Sequence, residues 1–260
     1  MKNAVNKVLA QAIYAMLAVS TTASVHAAEI YVTPGSSMWT TPASETRNGA
    51  TATITSTMPR SGNGSLEMAG ERTRTVMGSL YSGSSIGLFD QLNSLTFDWA
   101  IASSSMATLH PDYTPALRVT VIDGGVRSEL IWEGVYNGTY GNTTRDTWYT
   151  SNTNDLFYRY SGSVTTNNGN QINLTLEDWK DTSYYSDAAY IVGFSVGVGG
   201  SAGNGYRSFA DNITIDLAGV SNTYNFEAAA PADVPEPCSL ALLGLGLVGA
   251  AMTRRKQRAR

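Results

Sequence analysis

Cysteine is almost missing from this 260-residue chain: Cys238 is the only one, and it lies close to the C-terminus. The long middle of the chain therefore has no thiol, which excludes disulfide staples, thiolate metal sites and cysteine nucleophiles there. Histidine is as scarce, with His26 and His110 alone. His110 stands in Leu109-His110-Pro111-Asp112-Tyr113 and reads as a loop residue. A zinc site would need further nitrogen ligands, and a serine triad would have no Gly-x-Ser-x-Gly turn to accompany it. Long apolar runs are missing too. The uncharged apolar stretch Ser239 to Met252 has 14 residues. At about 1.5 Å per residue a helix of that length reaches roughly 21 Å, short of a hydrocarbon core of about 30 Å. No part of the middle shows a sustained 3.6-residue apolar period with caps.

What is present at the ends concerns targeting. Lys2 and Lys7 precede a mostly apolar run from Val8 to Val19, and Val25-His26-Ala27 supplies small residues for a signal peptidase. Cleavage is expected after Ala27, with Ala28 the next candidate and an uncleaved N-terminal helix the alternative. At the other end Val234-Pro235-Glu236-Pro237 leads into the short apolar run, read as a membrane helix over about 239–252. Arg254, Arg255, Lys256, Arg258 and Arg260 follow it. Arg254 and Arg255 can snorkel to recover part of the missing length, and the basic tail holds the C-terminus inside. Both ends place residues 28–233 outside the cytoplasm. Cys238 reads either as a lipidation or processing site or as a small apolar residue at the helix start.

Without those ends the charge balance changes. The whole chain carries 17 Lys and Arg against 21 Asp and Glu, a net −4. Two cations belong to the leader, five to the tail, and one acid, Glu236, to the C-terminal segment. Ten cations against twenty acids remain, with Lys180 the only lysine. A body near −10 repels phosphate backbones, which argues against nucleic acid as a partner.

The body alternates polar and apolar residues with period two. Leu95, Phe97, Trp99 and Ile101 share one face, as do Leu117, Val119 and Val121, then Ile172, Leu174 and Leu176. Val192, Phe194, Val196 and Val198 repeat the pattern, and so do Ile213, Ile215 and Leu217. Shorter strands are expected at 30–33, 51–57, 65–68, 129–136, 157–160 and 223–226, with turns at Ser61-Gly62-Asn63-Gly64, Asp123-Gly124-Gly125 and Asn167-Asn168-Gly169-Asn170. The fold class expected is all-β: one antiparallel β-sandwich of jelly-roll type over 28–226, flanked by a signal helix and a C-terminal membrane helix. A linker is expected over 227–233.

Two resemblances follow from these residues. Pro235-Glu236-Pro237, the short apolar run and the Arg254-Arg255-Lys256 stop together resemble the PEP-CTERM sorting signal of Gram-negative bacteria that export exopolysaccharide. That resemblance implies processing by an exosortase, a membrane transpeptidase-like partner, after a signal peptidase has acted. Separately, Gly62-Asn63-Gly64-Ser65-Leu66-Glu67-Met68 and Phe209-Ala210-Asp211-Asn212-Ile213-Thr214-Ile215 are similar to the early and closing strands of extracellular jelly-roll modules, including carbohydrate-binding ones. This second resemblance implies a structural calcium at Asp211; otherwise Asp211 and Asn212 simply turn the chain into a strand, and no other cofactor is expected.

The chemistry-bearing residues leave three readings open. Sugar rings stack on Trp and Tyr while polar neighbours bond their hydroxyls, so Trp132, Trp148, Tyr149 and Trp179 are the candidate glycan contacts. Asp98, Glu129, Glu133 and Glu177 could supply the paired carboxylates of a polysaccharide hydrolase, but Asp98 falls on the polar face of its strand and Glu129 and Glu133 face opposite to Leu130 and Trp132. Solvated strand carboxylates are therefore expected. The sequence favours a non-enzymatic, exported surface or matrix protein associated with polysaccharide. The alternatives are the hydrolase and a purely structural envelope or biofilm protein.

Overall fold

Two seven-stranded sheets face each other in the computed structural model, which describes residues 27–161 and 172–230. Strands are numbered in chain order. The first sheet holds β1 (Ala28–Val32), β2 (Thr51–Thr55), β3 (Ser65–Ala69), β6 (Leu92–Ile101), β9 (Tyr149–Thr150), β13 (Arg207–Leu217) and β14 (Val220–Phe226). The second holds β4 (Thr73–Gly78), β5 (Gly87–Leu88), β7 (Ala116–Asp123), β8 (Val126–Trp132), β10 (Phe157–Tyr160), β11 (Asn173–Leu174) and β12 (Tyr190–Val198). The expected signal helix and the 239–252 helix lie outside the described residues, and no helix among those described is long and apolar enough to cross a membrane.

The long strand β13 organises the first sheet. β6 runs along one of its edges, while β3 and β14 share the other, β3 at its start and β14 at its end. The handover falls at Asn212, whose φ of 47° belongs to the left-handed region that Asn tolerates, and the β6 register shifts there. The sheet is not purely antiparallel as expected: β1 pairs parallel with β14. The second sheet runs β11-β10-β8-β7-β12-β4, with β5 beside the start of β12. Gly197 lets β4 lie close, because a Cβ there would come within 2.4 Å of the Thr73 carbonyl oxygen.

Alternation places the apolar faces inward. Phe97 and Trp99 from β6, Leu117, Val119 and Val121 from β7, Leu130 and Trp132 from β8, and Phe194 and Val196 from β12 join one buried cluster. At about 25 cal/mol per Å² of apolar area, these rings and branched chains supply the main drive for closing the sheets. One alternation misleads. Ile172, Leu174 and Leu176 do not form a strand throughout. β11 stops after two residues, and Leu176–Trp179 forms one helical turn, α1. Thr175 caps it: its hydroxyl accepts from the Asp178 N–H, and the Asp178 carboxylate accepts from the Thr175 N–H.

The expected linker begins too early at Glu227. Glu227 is buried and its N–H donates to the Val32 carbonyl at 2.9 Å. Its carboxylate accepts from the Asn63 N–H, and Asn63 exchanges two 3.0 Å bonds with Ala229. The sandwich thus fastens the chain through Ala229.

Candidate functional site: a charged cleft on the outer face of the second sheet

The outward residues of β7, β8 and β10 align by register. Arg118 stands opposite Ile131, which stands opposite Tyr158, and Thr120 stands opposite Glu129, which stands opposite Tyr160. Directly opposed residues share a face, so these rows lie on the side away from the core. They are not open to solvent as expected. Loop segments cover them and leave a cleft of about 320 Å³ lined by Glu45, Arg72, Arg74, Arg118, Glu129, Glu133, Tyr158, Tyr160 and the Gly199-Gly200 loop, among others.

Most of the charge in the cleft is paired. Glu129 is only 2% exposed and binds Arg74 Nη1 at 2.7 Å and Arg127 Nη2 at 2.8 Å. Glu45 arrives from the 3-10 turn Ala43–Glu45, lies 3.7 Å from Arg72 and 3.9 Å from Arg74, and accepts from the Tyr81 hydroxyl. Burial works to raise the Glu45 pKa, yet the hydroxyl and the two guanidiniums hold it below the ordinary carboxylate value. Arg74 is pushed down to about 10, first by burial and then by the neighbouring Arg118 charge.

Two groups stand apart. Glu133 accepts from the Tyr158 hydroxyl at 3.0 Å, and burial raises its pKa despite the Arg118 charge. Arg118 is 4% exposed, its Nη1 donates to the Ala116 carbonyl at 3.2 Å, and its Nε has no acceptor. It makes no ion pair among the described residues. The Oγ of Ser195, which stands opposite Arg118 on β12, and of Thr120 are also buried without partners.

The expected site residues are scattered. Trp132 (2% exposed) and Trp179 (1%) lie inside the core and present nothing to a ligand, because both were placed by composition and not by face. Their indole N–H groups donate to Asp155 and to the Phe157 carbonyl. Trp148 lies half-buried on the outer face of the first sheet against Phe209, and Tyr149 stacks on Trp99 at 4.8 Å between centroids. None of the four lines the cleft. Its rings are Tyr158 and Tyr160, which the sequence marks only as residues of a short strand.

Two of the carboxylates expected to be solvated are buried instead. Glu129 is buried in ion pairs, and Asp98 is buried under Arg60, whose Nε donates at 3.0 Å, and Asn212, whose amide donates at 2.8 Å. Glu177 remains exposed beside Lys180. His110 lies in a loop, stacked on Tyr140 at 3.9 Å between centroids.

Asp211 is fully buried beside Asp98. Its Oδ1 accepts from the Phe226 and Asn212 N–H groups, both at 2.8 Å, and its Oδ2 faces the Ser61 N–H at 3.5 Å. Burial pushes its pKa up to about 7 against those bonds. A cation there would find the lone pairs occupied by N–H donors and a guanidinium, Arg60, alongside. The residues present do not fit the implied calcium, and no group of three or more His, Cys, Asp or Glu able to hold a metal occurs among the described residues.

Fold and cleft together define a two-sheet β protein with a covered, charged groove on one outer face. Comparison with known families adds the address: residues 233–256 carry the PEP-CTERM protein-sorting motif. Motifs of this kind are exosortase substrates and mark a chain for export and membrane-associated sorting. No curated protein matches the chain. The matched residues, including Pro235, Glu236, Pro237, Arg254, Arg255 and Lys256, lie outside those the structure describes.

Proposed function

We propose that this chain is an exported, exosortase-sorted protein of the cell surface or extracellular matrix, with a non-catalytic sandwich that binds polysaccharide. The observation that carries the reading is the cleft, where Tyr158 and Tyr160 rings stand beside buried guanidinium and carboxyl groups on a chain with a sorting motif. Rings of this kind take the C–H faces of sugars, and fixed charged groups take the hydroxyls. Signal peptidase removes the leader after Ala27, and the exosortase acts at Pro235-Glu236-Pro237.

Binding of the full chain, purified in mild detergent, to an array of bacterial polysaccharides tests the glycan part. A folded protein that binds none of them leaves the purely structural role. For sorting, replacing Pro235, Glu236 and Pro237 by Ala is expected to hold the precursor in the inner membrane, as seen by fractionation and immunoblot. Processing at the normal rate would count against it.

One observation favours the second reading, a polysaccharide hydrolase. Glu133, with its raised pKa, has the character of a general acid and shares the cleft with Glu129. Release of reducing ends by the wild type, lost in Glu133→Gln, would establish that reading over the binder.

A further inference from the structure

The cleft holds a buried guanidinium, Arg118, that makes no ion pair among the described residues, although it stands close enough to Glu133 to lower that carboxyl's pKa. Four guanidiniums, those of Arg72, Arg74, Arg118 and Arg127, meet three carboxyl groups, those of Glu45, Glu129 and Glu133. Glu45 and Glu129 are taken up by Arg72, Arg74 and Arg127. Glu133 spends its Oε1 on the Tyr158 hydroxyl and forms no ion pair with Arg118 among the described residues. Arg118 is thus a guanidinium more than nine-tenths buried, lining the cleft, with Nε unpartnered and only a neutral carbonyl on Nη1.

An isolated buried charge is costly, and a protein rarely keeps one without a partner. The partner missing here must be an anion small enough to enter a cleft of about 320 Å³. A guanidinium matches the two oxygens of a carboxylate with a pair of N–H groups. Around it stand the rings and hydroxyls of Tyr158 and Tyr160, which suit a pyranose.

Resting on the polysaccharide reading above, we infer that the cleft selects an acidic sugar, a hexuronate residue of a polymer, and that Arg118 grips its carboxylate. Selection is local. The body as a whole is near −10, so a polymer recognised only by its charge density is repelled. The carboxylate is accepted because it meets Arg118, which makes no ion pair among the described residues, in a cleft whose other guanidiniums are already engaged by Glu45 and Glu129.

The test uses the full chain in mild detergent and three soluble polymers: a polyuronate, the same polymer with its carboxyl groups reduced to alcohols, and a sulfated neutral glucan. Titration calorimetry is expected to give binding to the polyuronate at least tenfold tighter than to its reduced form, since a hydrogen-bonded charge pair is worth roughly 10- to 100-fold. The sulfated glucan is expected to bind no better than the reduced polymer. Arg118→Gln should erase the preference, bringing the carboxylated and the reduced polymer to the same affinity, and melt no lower than the wild type. A purely structural arginine would instead melt lower when removed. Arg118→Lys keeps the charge without the fork and should lose most of the preference.

Equal binding of the two uronate-derived polymers, or an unchanged preference in Arg118→Gln and Arg118→Lys, overturns the acidic-sugar inference and leaves the glycan reading standing. Tighter binding of the sulfated glucan replaces carboxylate recognition by general anion binding and also overturns it. Failure to bind any of the three removes the polysaccharide reading and this inference with it.

Discussion

Replacing Trp132 by Ala is expected to lower the free energy of unfolding by about 3–5 kcal/mol, a large share of the roughly 5–15 kcal/mol that holds a domain folded. The indole lies edge-on to Phe97, with centroids 5.0 Å apart at 84°, and 6.1 Å from Trp99. It stands across from Leu117 on one side and Phe157 on the other, at the centre of the second sheet. Removing it opens a cavity lined by rings that cannot collapse into it. It also takes the N–H donor, 2.7 Å away, from Asp155. Trp148→Ala should cost no more than about 2 kcal/mol, because that ring is half-buried against the outer face. Urea unfolding of both variants, read as midpoint shifts at constant slope, checks the contrast. Equal small losses would place Trp132 at the surface, where a ligand could use it.

That contrast shows what alternation can and cannot reveal. The register of Glu129-Leu130-Ile131-Trp132 already puts Trp132 on the side of Leu130, so its burial was legible in four residues. Grouping it with other aromatics of polar segments obscured this. The strands β6, β7, β12 and β13 were legible for the same reason, since two-sided patterns of five to seven residues leave little choice of structure. Leu176 misled because the Thr175-Asp178 cap is a four-residue signal competing with a longer run of alternating residues.

The cleft was hidden for a different reason. Period two says which face a residue occupies, and nothing about whether that face is covered. Arg118, Thr120 and Glu129 alternate like solvated residues, and their cover comes from chain distant in sequence, including the Glu45 turn and the Gly199-Gly200 loop. β4, whose Arg74 reaches Glu129, has the mixed pattern Thr-Arg-Thr-Val-Met-Gly and gave no strand signal. Asp211 stood out in the sequence as a polar residue at a strand start, but its burial under Ser61 and Phe226 depends on pairings 15 and 150 residues away.

Asp211 carries the second large expectation, a stability that falls as pH rises. Its pKa of about 7 in the fold lies above the 3.8 of the free side chain. The protonated form is therefore favoured by folding. The stabilisation is complete below pH 4, where both states hold the proton, and is lost as pH rises through about 7, where the folded state must ionise a carboxyl in the interior. A difference of about 3 pH units corresponds to about 4 kcal/mol. Asp211→Asn keeps an Oδ1 that can accept from Phe226 and Asn212 and cannot ionise; its amide facing the Ser61 N–H costs about 1 kcal/mol at every pH. The difference in unfolding free energy between wild type and Asp211→Asn isolates this residue from the lowered carboxyls such as Glu45 and Glu67, whose contributions run the other way and cancel in the subtraction. It should favour the wild type slightly at pH 4 and the variant by about 3 kcal/mol at pH 8. Calcium should leave both melting temperatures unchanged, since the Asp211 oxygens already serve backbone N–H groups. A flat difference across pH 4–8 would mean that Asp211 ionises freely in the fold, and calcium-dependent melting would mean that a cation, not the backbone of Phe226 and Asn212, organises this corner of the sandwich.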